Sequence, residues 1–134
     1  MKLPLKNIRN FFDSQETEVI KESIVFLQKQ LPLSQAVNIQ FTDNRQFNMT
    51  TGLRMKPMGI VVLAKDRLLV DILRTITHEW VHEYQHQKLG LTEKEKKQNI
   101  GGPDENLANI LSGIMFKKFE KENEKYKKTI YGED

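Results

Sequence analysis

Apolar residues recur in several stretches of this chain, and their spacing changes from one stretch to the next. Ile20, Ile24, Leu27 and Leu31 fall at three- and four-residue intervals, as on one helix face, and Pro32 ends the run. Asp13 or Ser14 can cap its start, and Asp13 with Glu16 has the spacing of a capping box. Val37, Ile39 and Phe41 then alternate with polar residues, which predicts a half-buried strand. A turn at Asp43-Asn44 precedes a weaker strand expected in 47–54, with Gly52 as a candidate bulge. Ile60-Val61-Val62-Leu63 is a short β-branched run, introduced by Pro57 and Gly59 and stopped by Lys65-Asp66.

From about 67 to 89 the period is helical again. Leu69, Ile72, Leu73, Ile76 and Trp80 make one stripe, and Gly90 is a natural stop. A polar connection leads to Gly101-Gly102-Pro103, where Pro103 suits a first helical position. Leu107, Ile110, Leu111, Ile114, Met115 and Phe119 form the stripe expected to bury a third helix. Ala108 and Gly113 would let it approach its neighbour closely. The charged residues from about 120 to 134 continue that helix or fray. The expectation is an α+β fold in one domain spanning 1–134: a small three-stranded sheet packed with an N-terminal helix and two later ones.

Composition narrows the partners. Lysines and acids interleave almost everywhere, so a net charge of +3 gives no one-signed stripe for nucleic acid. No apolar run approaches a membrane span, and no signal-peptide core follows the N-terminus. A cytoplasmic protein with no membrane partner is expected. Cysteine is absent, which leaves His, Asp and Glu as the metal-ligating side chains.

All three histidines lie within one helical stretch. His78-Glu79-Trp80-Val81-His82 is an H-E-x-x-H segment: positions i and i+4 share a helix face, so two imidazoles can close on one ion. With Ile72 at zero and about 100° per residue, the apolar stripe covers about 0–100° while His78 and His82 fall near about 240° and 280°. A core histidine would sit within the stripe; these two have a face of their own. Glu79, near about 340°, is placed to act as general base beside the ion. His86 continues the series but lies about 12 Å from His78 along the axis, too far to share an ion bonded at about 2.0–2.1 Å; it reads first as a surface residue, otherwise as one that supports the ligands or faces substrate. A third ligand must be an oxygen from elsewhere. Asp104 and Glu105 are the candidates, although acids at a helix start are also favoured by its dipole. Asn109, one turn after Glu105, could orient a ligand imidazole.

Glu105-Asn106-Leu107-Ala108-Asn109, following the H-E-x-x-H segment, resembles the glutamate helix of gluzincin metallopeptidases. The compact form is similar to the minimal gluzincins and the phage- and bacteria-associated peptidase domains related to the ImmA/IrrE group. The resemblance covers roughly 14–119 and rests on these two motifs. It implies a zincin-like fold, Zn2+ held by His78, His82 and Glu105, Glu79 as catalytic base, and a peptide or protein substrate. Two departures stand out: Asn109 occupies a position where many gluzincins have Asp, and Glu83 directly follows the second histidine. The implied function is zinc-dependent peptide-bond hydrolysis. The alternative is a non-hydrolytic zinc-binding regulatory module, which would have no need of Glu79. An extended substrate is expected to pair with strand 59–64. Tyr84, Tyr126, Tyr131 and Arg54 are candidate oxyanion donors, and the C-terminal tail could fold back over the site.

Overall fold

The computed structural model describes residues 5–35, 37–43, 52–55, 59–65, 67–89 and 103–132. A two-residue strand β1 (Leu5–Lys6) and a 3-10 turn (Ile8–Asn10) precede helix α1 (Ser14–Gln30). The capping box forms as expected: Glu16 N–H donates to Asp13 Oδ1 at 2.7 Å, and Asp13 N–H donates to Glu16 Oε1 at 3.1 Å. Ile20, Ile24, Leu27 and Leu31 are all buried. Strands β2 (Ile39–Thr42), β3 (Gly52–Met55) and β4 (Gly59–Leu63) follow, then helices α2 (Leu69–Leu89), α3 (Pro103–Glu122) and the short α4 (Lys127–Tyr131).

The three-stranded α+β expectation is overturned. The described residues are mostly helical, in four α-helices, and the sheet has four strands in the order β1-β2-β4-β3. Pairing of β1 with β2 and of β2 with β4 is parallel, and only β3 runs antiparallel, against β4. The strand missed by periodicity is β1, whose two residues are too few to show one. The β1–α1–β2 order explains the parallel pair, because a parallel return needs a crossover long enough to hold a helix. β4 therefore has both edges occupied. Its Ile60, Val61 and Val62 are completely buried, as a continuous apolar run in a central strand should be. The expected substrate edge on 59–64 is thus not an edge. Gly59 opens β4 at φ +90°, and a Cβ there would lie 2.3 Å from the Asn38 carbonyl oxygen.

α2 is the central element, in contact with β3, β4 and the three other helices. Its expected stripe, Leu69 to Trp80, is buried, but Thr77, Val81 and Gln85 are buried as well, on the side away from that stripe. The Trp80 indole N–H donates to the Leu31 carbonyl at 3.0 Å, fixing the middle of α2 to the end of α1. Phe26 and Phe119 meet edge-to-face, 5.5 Å between centroids, and join α1 to α3.

α3 is rotated from the expected facing. Ala108, Met115, Phe116 and Phe119 point inward, whereas Leu107, Ile110 and Ile114 are about half exposed, at 48%, 61% and 53%. The apolar positions of α3 span more of the helix than its contact can cover, and the two phenylalanines supply the larger buried surface. Ala108 is buried, but a Cβ on Gly113 would meet nothing within 4 Å, so that glycine brings no close approach. Beyond α3 the described residues do not continue one straight helix: a 3-10 turn (Glu124–Tyr126) leads into α4, which buries Ile130. The Gly90 stop, the 92–98 connection, Gly101-Gly102 and Asn44 lie outside the described residues, as do the side chains of 52–55 and 103–105.

Candidate metal centre

Positions 71, 74, 78 and 82 of α2 follow three- and four-residue spacing and leave the core along one side, with Arg74 exposed and Asp71, His78 and His82 half-buried. His78 Nε2 and His82 Nε2 are 3.0 Å apart, with ring centroids separated by 4.6 Å. Two Zn–N bonds of about 2.0–2.1 Å at a tetrahedral angle place their nitrogens about 3.4 Å apart. The observed separation lies close to that value, so the histidines fit the nitrogen spacing of the ion.

Across from this face stands α3. Arg74, His78 and Glu79 from α2, and Asn109, Phe116, Lys117 and Glu120 from α3, line a cleft of about 440 Å³. Asn109, Phe116 and Glu120 are spaced so that they share one face of α3, and Glu105 stands one turn before Asn109 in the same helix. The Glu105 and Asp104 side chains lie outside the described residues. Among the described residues no group of three or more His, Cys, Asp or Glu is gathered as a metal cluster. Among the described residues the site therefore consists of a converged histidine pair, Glu79 beside His78 on the cleft wall, and α3 across the cleft.

Glu83, His86 and three of the four expected oxyanion donors have defined surroundings. Glu83 is buried and accepts a hydrogen bond from Gln87 Nε2 at 2.9 Å. Gln87 also accepts from Ser34 Oγ and Gln35 N–H and donates to the Gln35 carbonyl, so Glu83 belongs to a network anchoring the loop after α1. His86 is half-buried rather than a surface residue. Among the four proposed oxyanion donors, Tyr131 reaches the cleft wall: its hydroxyl donates to Glu120 Oε2. That bond, then burial, then the Glu120 charge raise the Tyr131 pKa from its ordinary value, and Arg74 opposes the shift. Tyr84 packs against the core, the Lys125 ammonium lies over the Tyr126 ring, and the Arg54 side chain lies outside the described residues.

Sequence reasoning missed Arg67 and Arg74. Arg67 donates to the Leu63 carbonyl at 2.8 Å, to the Asp71 carbonyl at 2.9 Å and to Thr75 Oγ1 at 2.7 Å, binding the end of β4 to the first turns of α2. Burial lowers its pKa from the ordinary value, and the Asp71 carboxylate works against that shift. Arg74 was legible: it lies four residues before His78 and so shares its face.

No protein-family model matches this chain, and neither a curated protein nor a solved structure does. Among the described residues, no helix is long and apolar enough to cross a membrane.

Proposed function

We propose that the chain is a zinc-dependent metallopeptidase of the gluzincin type. The observation that carries this reading is the 3.0 Å approach of His78 Nε2 to His82 Nε2 beside Glu79 on the cleft wall. Zinc held by His78, His82 and Glu105 would supply the charge that acidifies a water and polarises a peptide carbonyl. Both histidines would turn Nε2, the atoms that already approach each other, toward the ion. Glu79 accepts the proton of the attacking water and hands it to the departing amine, the work of a general base that then turns acid. The cleft between α2 and α3 seats the reacting part of the substrate. An extended substrate backbone pairs with the outer edge of β3, which contacts α2 and ends the sheet among the described residues.

The test separates the base from the ligands. Glu79→Gln is expected to retain zinc and to lose at least about 10²–10⁴-fold in turnover of an unstructured protein such as casein. Turnover within a few-fold of wild type would remove Glu79 from its role. Zinc binding without turnover in the wild-type chain would leave the non-hydrolytic module.

A further inference from the structure

The cleft carries charge that bond cleavage leaves unused. Arg74 lies one turn before His78 on α2, so their Cβ atoms are about 5–6 Å apart. Its guanidinium sits over the Phe116 ring, 5.2 Å from the centroid, and that ring is buried in the contact between α2 and α3. A cation–π contact through the guanidinium carbon uses none of the N–H donors and leaves them for an acceptor. The neighbouring charges have other tasks: Arg67 holds Leu63, Asp71 and Thr75, Asp71 faces Arg67, and Glu120 takes the Tyr131 hydroxyl. Lys117 adds a second cation from the α3 wall.

We infer that Arg74, assisted by Lys117 across the cleft, binds a carboxylate of the peptide close to the bond that is cut. This deepens the hydrolase reading and rests on it. A rigid fork matches a carboxylate through two parallel hydrogen bonds, and the Phe116 ring under the guanidinium carbon holds that fork at the cleft. One helical turn is about 5.4 Å and an extended chain advances about 3.3 Å per residue, so the carboxylate belongs about two residues from the scissile bond. It comes from an acidic side chain or from the end of the substrate chain.

The experiment uses zinc-loaded protein carrying Glu79→Gln, which keeps peptides intact, and three labelled hexapeptides of otherwise identical sequence. One is blocked at both ends and neutral, one is blocked with a central Glu, and one is neutral with a free C-terminal carboxylate. Fluorescence anisotropy should show at least one carboxylate peptide binding on the order of tenfold tighter than the neutral one. Adding Arg74→Gln should remove the difference, Arg74→Lys should restore part of it, and Lys117→Gln should reduce it. Circular dichroism on each variant checks folding, and Arg74 is exposed, so the core is spared. A preference confined to the Glu peptide assigns a side chain, and one confined to the free terminus assigns a chain end. Equal binding of all three, binding of none, or a preference that survives Arg74→Gln overturns the assignment. Incubation of the same peptides with wild-type protein keeps the two claims apart: carboxylate-selective binding without cleavage would defeat the hydrolase and leave this site standing.

Discussion

Trp80 lies inside the H-E-x-x-H segment yet points away from it, and its replacement separates the scaffold from the site. The side chain is 2% exposed, and its indole N–H donates to the Leu31 carbonyl at 3.0 Å. Trp80→Phe keeps an aromatic ring but removes the donor. Leaving that carbonyl unsatisfied in a buried setting costs about 1–3 kcal/mol. The lost part of the ring opens roughly 40 Å³, or about 1 kcal/mol at about 24 cal/mol per Å³ of residual cavity. Together the loss is about 2–4 kcal/mol, and for a domain of this size each kcal/mol lowers Tm by about 3–4 °C. Thermal melts followed by circular dichroism should therefore show Tm falling by about 6–16 °C. Zinc stoichiometry at low temperature should stay that of the wild type, because His78 and His82 leave the helix on another face. A Tm change under about 2 °C would refute the indole bond as the tie between α1 and α2. Loss of zinc from a still-folded variant would refute the separation of faces.

Two further outcomes follow from the geometry. Gly59→Ala places a Cβ 2.3 Å from the Asn38 carbonyl oxygen at φ +90°, so it should cost about 3–5 kcal/mol and lower the urea midpoint by about 2 M; an unchanged midpoint would contradict the sheet register. Glu120→Gln should move one tyrosine's ionisation to lower pH in an absorbance titration, because the bond to Glu120 favours the neutral phenol. A raised folded-state pKa gives stability that is present below the ordinary tyrosine value and lost as pH climbs through the raised one, so the stability difference between wild type and variant should shrink in that alkaline range. Identical titrations would contradict the contact.

Much of the helical structure was legible because burial on one side imposes a period. The stripes of α1 and of the first turns of α2 became core, and the Asp13–Glu16 box is a purely local signal that formed as written. Where a helix is covered from several directions, the period fails: nothing in the sequence marks Thr77, Val81 and Gln85 of α2 as buried. α3 shows the opposite error. Six apolar positions predicted one broad face, but only part of that face meets α1 and α2, and Leu107, Ile110 and Ile114 are left outside. Strand order is a tertiary property as well. The β4 run announced a strand, but its central position depends on partners far apart in sequence, Ile39–Thr42 on one side and Gly52–Met55 on the other. At the site, the i, i+4 rule gave His78 and His82 their common face because it depends on helix geometry alone. Glu83 escaped it, since its role depends on a loop about fifty residues earlier, through Gln87.

The central claim is that His78, His82 and Glu105 together hold one metal ion. Protein purified without added metal should be analysed for metal by mass spectrometry, alongside His82→Ala and Glu105→Gln. The account predicts zinc at close to one equivalent in the wild-type chain and its loss, or a weakening of at least about tenfold in affinity, in each variant. A wild-type chain that binds no zinc from micromolar solution, or variants that retain it undiminished, would contradict the account.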